Sequence, residues 1–205
     1  MNLTDVPLTD SEQAAVTIPD AIEALIVEAE RRFLVWEEET LESPIYSFIP
    51  CDYRAVYRGL AVVKERRLAP GGSFCEWGSG QGVVAMMAAS LGWHAVGIEV
   101  EPDLVAASRD LAAAFDLPVE FVVGSYVPED TIVRPDAGAE LAWLDDSAEP
   151  AYEDLGMDPD DFDLTFAYPW PGESEVIYDL FEEHAARGAL LITFQGTEGV
   201  KLHRR

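Results

Sequence analysis

Basic side chains are scarce in this sequence. Among 205 residues, Lys and Arg number 13 against 39 Asp and Glu, a formal net charge of −26. Lysine is nearly missing, with only Lys64 and Lys201. Such a charge repels phosphate backbones and anionic lipid headgroups, which argues against nucleic acid as a partner, a local basic groove aside. Cysteine is rarer still in effect. Cys51 and Cys75 make no disulfide framework, and Cys75, inside an apolar strand-like run, reads as a small buried hydrophobe. No Cys-x-x-Cys pair or Cys/His cluster points to a metal site, since His94, His184 and His203 lie far apart. No apolar run approaches membrane-spanning length. The opening "MNLTDVPLTD" is polar and acidic, unlike a signal or transit peptide. The expectation is a soluble, cytoplasmic chain with no membrane partner.

What is present is apolar bulk in a regular rhythm. Hydrophobic residues make up 49% of the chain, enough for a full core, and the length suits one domain. Residues 1–17 read as a flexible tail ahead of a single domain, 18–205, whose first part, 18–68, is a helical N-terminal segment. After Pro19, apolar residues recur at Ile22, Leu25, Ile26, Ala29 and Phe33, the spacing of a helix face. Pro44 and Pro50 break it. Asp52 then suits the N-cap of a second helix, with Tyr53, Val56, Tyr57, Leu60 and Val63 on its apolar side. Past the "APGG" turn, strands are expected at 73–77, 94–100, 119–124, 162–168 and 189–194. Helices are expected at 82–91, from Pro102 to about Phe115, and over "EVIYDLFEEHAARG", with Gly188 as its stop. That alternation predicts an α/β fold, a mostly parallel sheet with helices on both faces. Residues 126–161 stand apart as an acidic insertion with twelve acids and one base, Arg134. A structureless loop of that length is unusual in a compact domain, and "AELAWL" within it suggests a helical turn.

The stretch "FCEWGSGQG", residues 74–82, joins the first of these strands to its helix. Glycine there allows backbone angles closed to other residues and lets a ligand approach the main chain. The helix that follows offers unpaired N–H groups and a positive dipole end, favourable to a carboxylate or phosphate. In an open α/β sheet, ligands sit beyond the carboxyl ends of the strands, where this stretch lies. Two ligand classes compete. A dinucleotide fingerprint needs Gly-x-Gly-x-x-Gly or Ala; Gly78 and Gly80 fit, but Val83 at the third site is too large for the close helix–strand contact. Glu99 ends the second strand, and an acid there can accept hydrogen bonds from both hydroxyls of a ribose. The bland alternative is a surface glutamate at a strand end.

The spacing Glu76-x-Gly78-x-Gly80-x-Gly82 resembles the first motif of the class I S-adenosylmethionine-dependent methyltransferases. The pieces after it follow that family's order, over about residues 46–195. The resemblance implies a Rossmann-like class I methyltransferase fold with S-adenosyl-L-methionine as cofactor. It implies cofactor contacts from Glu76, Gly78, Ser79, Gly80 and Gly82, from Glu99 and Val100, from Ser125 and Tyr126 near the adenine, and from Ala167. Many members carry an acid where Ser125 stands. Tyr126 either stacks on the base or is a loop aromatic. The fourth strand ends in "AYPWPGE", where the family places groups that meet the transferable methyl. Tyr168-Pro169-Trp170-Pro171 partly matches the Asn/Asp-Pro-Pro-aromatic motif of amino-methylating members, and no adenine substrate is inferred from it. Tyr168 and Trp170 are the expected catalytic wall, since aromatic faces attract cations, with Glu173 as an anchor or base. Trp170 packed as a lid under the acidic segment is the alternative.

Two further stretches bear on the resemblance. "YSFIPCDY", 46–53, stands where the family often has a segment folded over the methionine end of the cofactor. "FIP" before a helix, then a glycine motif, resembles a small lysine-methylating branch related to enzymes that modify a rotary ATPase c subunit. After the fifth strand only "QGTEGVKLHRR" remains, so the family's terminal hairpin is expected to be missing or reduced to one short strand.

The expected function is therefore methyl transfer to an unidentified acceptor, with a protein amine as one candidate and a basic protein as partner. A non-catalytic module that holds S-adenosylmethionine or a nucleoside and docks a basic protein is the alternative, favoured slightly by the short C-terminus. A nicotinamide oxidoreductase is a third reading, opposed by Val83. The acidity itself is either a generic solvated surface or one adapted to high salt. Melting temperature against salt separates the two. An adapted surface gains stability as screening relieves its self-repulsion, and a flat profile removes that reading.

Overall fold

The computed structural model describes residues 3–40, 48–129, 131, 148–170 and 172–205, the side chains of 39 and 40 excepted. In chain order the elements are β1 (Thr4–Asp5), α1 (Asp10–Ala15), α2 (Asp20–Thr40), α3 (Tyr53–Glu65), β2 (Ser73–Trp77), α4 (Val83–Ser90), β3 (His94–Glu99) and α5 (Pro102–Ala114). Then come β4 (Val119–Val123), α6 (Tyr152–Leu155), β5 (Leu164–Ala167), α7 (Ser174–His184), β6 (Leu190–Phe194) and β7 (Val200–Arg204). The strands form one sheet in the order β1-β7-β6-β5-β2-β3-β4. β2 to β6 are parallel to their neighbours among them, while β7 runs antiparallel to β6 and β1 antiparallel to β7. The expected α/β fold is present, with strands at the predicted places.

Alternation along the strands divides the core in two. Phe74, Phe121, Leu164, Phe166 and Ile192 meet α2 to α5 on one face. Cys75, Trp77, Ile98, Val122 and Leu191 meet α6 and α7 on the other. Cys75 is fully buried, as expected for a small hydrophobe, and neither cysteine is bonded to the other. Asp52 caps α3 by accepting the Ala55 N–H at 2.9 Å. Arg54 on α3 grips α2 by pairing with Glu30 (2.6 Å) and Glu23. Among the described residues no helix is long and apolar enough to cross a membrane.

Residues 3–17 depart from the loose tail expected over 1–17. β1 pairs with the end of β7, and the Val6 N–H donates to the Leu202 carbonyl at 2.8 Å. Thr9 and Glu12 cap α1 reciprocally, the Glu12 carboxylate accepting the Thr9 N–H at 3.0 Å. Val6, Leu8, Val16 and Ile18 pack against the core. Four scattered apolar residues show no period in sequence, yet each finds a hydrophobic surface to cover. The C-terminal hairpin takes its reduced form, the single strand β7. β1 fills the outermost place from the other end of the chain.

The acidic insertion returns to the sheet. The Ser125 N–H donates to the Glu149 carbonyl and the Ala151 N–H to the Ser125 carbonyl, both at 2.9 Å. The "AELAWL" turn lies outside the described residues.

The foot of the sheet is held by one polar clasp. Asp163, just ahead of β5, accepts the Ser73 N–H (2.9 Å) and hydroxyl (2.7 Å), and its own N–H donates to the Ser73 hydroxyl (2.9 Å). Asp163→Ala strands the Ser73 N–H in a half-buried place, while the Ser73 hydroxyl keeps the Asp161 carbonyl at 2.7 Å. The substitution is expected to lower unfolding stability in urea by about 1–3 kcal/mol, with the slope unchanged.

Candidate active site

The crevice opens between β2 and β5, where the strand order reverses. β2 runs into the bend Gly78–Gly82, and β3 ends at Glu99. β4 leads to Ser125 and Tyr126, and β5 to Ala167, Tyr168, Trp170 and Glu173. The expected site residues therefore lie near the carboxyl ends of β2 to β5 or in the segments that follow them.

Two buried carboxylates shape the bend. Glu76, 4% exposed, points from β2 toward the start of α4. Its Oε2 accepts the Ala85 N–H at 2.7 Å, and the Val84 N–H donates to it too. The sequence left those first helical N–H groups open to an anionic ligand. The structure corrects this, because the alternation of β2 aims Glu76 at the helix and the carboxylate takes them. Glu99, 8% exposed, accepts the Gly80 N–H through Oε2 (2.7 Å) and the Glu101 N–H through Oε1 (3.1 Å), with Val100 N–H as a further donor. Neither acid has a cationic side chain as partner among the described residues. Burial holds both above the usual carboxyl range, against the pull of their N–H donors, and Glu99 adds to the rise at Glu76. The bend is tied down further by the Ser79 N–H, which donates to the Ile98 carbonyl at 2.8 Å. The Ser108 hydroxyl, buried on α5, reaches the Gly80 carbonyl at 2.9 Å.

The glycines serve different neighbours. Gly80 and Gly82 hold φ of 52° and 69°. A Cβ at Gly82 would overlap the Phe121 ring of β4, and one at Gly80 the Phe48 ring. The space beside Gly80, expected to face a ligand, is thus taken by Phe48. Phe33 and Trp36 hold that ring edge-on, at centroid distances of 5.6 and 6.0 Å. Gly78 is the open one. The nearest atom to a Cβ built there is Tyr126 Cε1, at 3.8 Å. The neighbouring Ser79 hydroxyl is buried with no hydrogen-bond partner.

Aromatic rings close the rest. Tyr126 stacks flat on Trp77 (5.3 Å, 8°), and its carbonyl accepts the Tyr152 hydroxyl at 2.8 Å. Burial first, then the Glu173 and Glu99 carboxylates, push its phenol up, so Tyr126 lies in the field of both acids. The Ser125 hydroxyl accepts the Val127 N–H (3.1 Å) and so holds its own turn. Val100 is half-buried beside Glu99, and Ala167 is buried at the end of β5. Tyr168 meets Phe194 of β6 edge-on at 5.3 Å. Burial raises the Tyr168 phenol above its ordinary value. The Cys51 thiol is itself pushed up by burial and by Glu76, so it is not a thiolate nucleophile. Trp170 is half-buried, and its carbonyl accepts the N–H of buried Glu173 (2.9 Å) at the start of α7. Pro171 lies outside the described residues. Sequence reasoning did not single out Phe48, Ser108 or Phe194. Only Phe48 had a signal, its place in the segment expected over the site.

No family model matches the sequence, and no curated protein matches it. Solved structures do. An RNA methyltransferase from Salinibacter ruber, in complex with S-adenosyl-L-homocysteine, is similar with a TM-score of 0.52 and 19% identity, over 76% of this chain and 92% of that one. A methyltransferase from Geobacter sulfurreducens is similar with a TM-score of 0.50 and 17% identity, over 97% of this chain and all of that one. The chain has the class I methyltransferase fold. In this methyltransferase fold the crevice, the glycine bend and the acid-ended second parallel strand share one end of the sheet. The likeness leaves the acceptor open.

Raised carboxyl values carry a sign. Stability from Glu76 and Glu99 is fully present below the unfolded value of about 4.3 and is lost as pH rises through the higher folded values. Glu76→Gln keeps an acceptor for the Ala85 N–H and removes the buried charge. Its melting temperature is expected to fall less than that of the unaltered chain between mild acid and neutral pH. Parallel curves would contradict the assigned burial cost.

Proposed function

We propose that this chain is an S-adenosylmethionine-dependent methyltransferase whose acceptor is an amine. The observation that carries the reading is the pair of buried carboxylates, Glu76 and Glu99, at a glycine bend without a cationic side-chain partner. A diphosphate needs the first N–H groups of α4, and Glu76 already takes that of Ala85. A ligand with positive charge and ribose hydroxyls meets the opposite situation. S-adenosylmethionine carries both. Each Glu99 oxygen keeps lone-pair capacity for a ribose hydroxyl beyond its backbone donors. The face of Tyr126 away from Trp77 suits the adenine, with Val100 and Ala167 at its borders. The unpartnered Ser79 hydroxyl and the open side of Gly78 suit the sulfonium end.

When bound, the cofactor supplies a methyl on a positive sulfur, which an acceptor lone pair takes as the carbon–sulfur pair stays with sulfur. What this chain adds is position and surroundings. Tyr168 and Trp170, backed by Phe194, offer aromatic faces, worth about 0.5–2 kcal/mol each to a cation. A carboxylate beside the amine would raise its pKa and keep it protonated. Glu173 belongs on the Tyr126 side, as an anchor. The Salinibacter neighbour acts on RNA by its name. Here the net charge of −26 opposes a phosphate backbone, so the proposed acceptor is not nucleic acid. The short C-terminus that favoured a non-catalytic module loses its force, since β1 completes the sheet.

Calorimetry with S-adenosylhomocysteine beside NADH is expected to show tight binding of the first alone. The 2′-deoxy analogue of S-adenosylhomocysteine should bind about 10- to 100-fold more weakly to the unaltered chain, as expected for a lost hydrogen bond to a charged group. Glu99→Ala should bind both forms alike. NADH bound as tightly as S-adenosylhomocysteine, or no penalty for the missing hydroxyl, would overturn the assignment.

A further inference from the structure

Helix α2 outlasts the core it packs on. Ile22, Leu25, Ile26 and Ala29 are buried, but the helix then runs on to Thr40 through Phe33, Leu34, Val35 and Trp36. Four consecutive apolar residues point around a helix, so no single face hides them. Phe33 and Trp36 pack on Phe48. Leu34 and Val35 stay 58% and 45% exposed, and Ile49, beside Phe48, 51%. Next to them a groove of about 180 Å³ is lined by Arg31, Arg32, Val35, Trp36, Gln81 and Ala107. Gln81 is 3% exposed, and its Oε1 has no hydrogen-bond partner among the described residues. Glu28 pairs with both arginines at 2.8 Å, which mutes their charge. Glu37 and Glu38, on the projecting turns, are exposed and form no ion pair among the described residues.

An exposed apolar cluster rimmed by charge marks an interaction surface. A second copy would bring Glu37 and Glu38 against their own kind, in a chain of net charge −26, and an anionic membrane would meet the same repulsion. We propose that this end of α2 docks the acceptor itself, a segment of a partner protein in which apolar side chains are interspersed with Lys or Arg. The proposal rests on the methyltransferase reading of the crevice. Apolar side chains settle on Leu34, Val35 and Ile49 and into the groove. A backbone N–H of the segment donates to Gln81 Oε1, and its basic groups face Glu37 and Glu38. The surface is continuous with the crevice, because Phe33 and Trp36 hold Phe48, and Phe48 lies on Gly80.

Three short synthetic peptides test this on the full chain: one of Leu and Lys in a helical pattern, a copy with Glu for Lys, and a copy with Ser for Leu. The first is expected to bind, and the copies at least about tenfold more weakly. The double variant Leu34→Gln/Val35→Gln keeps the charge and alters only exposed positions. It should weaken the Leu/Lys peptide by about tenfold while S-adenosylhomocysteine binds as before. Equal binding to variant and unaltered chain would reduce the contact to bulk acidity and overturn the proposal. So would sedimentation showing self-association abolished by the double variant, or co-sedimentation with phosphatidylcholine vesicles abolished by it. If S-adenosylhomocysteine itself fails to bind, the methyltransferase reading falls. If it binds and the Leu/Lys peptide does not, only the docking surface falls.

Discussion

A carboxylate taken out of water must be met by N–H donors or by positive charge, and two such carboxylates organise this crevice. Glu76 finds its donors at the start of α4, and Glu99 finds its own at Gly80 and Glu101. Glu76 therefore ties β2 to α4 and Glu99 ties the end of β3 to Gly80, so together they set the path of the glycine bend. The backbone donors leave both acids without a full counter-charge. The α/β scaffold is neutral between nucleotide-like ligands. The proposed choice of a sulfonium and its ribose over a diphosphate rests on the buried acids.

The N-terminal segment has two structural duties at opposite ends of the sheet. Its first residues cover the edge of β7, which would otherwise offer unpaired backbone groups to other chains. Its later residues bring Phe48 onto Gly80 and Cys51 near Tyr168 and Glu76. α2 precedes those later residues and α3 follows them; the two helices are tied by Arg54 and packed on the same sheet face as α4. Phe48 is thus held by the rings of Phe33 and Trp36 on α2.

Charge and aromaticity act at different ranges. The acidic surface works over distance, attracting basic chains and repelling phosphate. Close to an amine a carboxylate would keep the proton on it, which is why the proposed wall is aromatic, with Tyr168 packed edge-on against Phe194. The same division appears at the end of α2, where Leu34, Val35 and Ile49 supply contact and the glutamates stand at the rim.

Periodicity and motif order revealed most of the architecture because they obey local rules. "SFCEW" reads as a buried strand from its own residues, and Asp52 as a cap from its position. The glycine bend and Glu99 are recognisable by spacing along the chain. A two-residue strand has no period, so β1 was illegible until Arg204 and His203 were seen opposite it. Phe48 against Gly80, Phe121 against Gly82 and Ser108 under the Gly80 carbonyl join residues far apart in sequence. Glu76 shows the boundary most clearly. Its type and place are plain in the motif, but whether it serves a ligand or the helix depends on where α4 packs. The sequence by itself determined the α/β layering, the bend and the acidity, since these follow from residue order and composition. Only the tertiary structure decided which glycine faces a neighbour and which faces open space, because that is set by long-range packing.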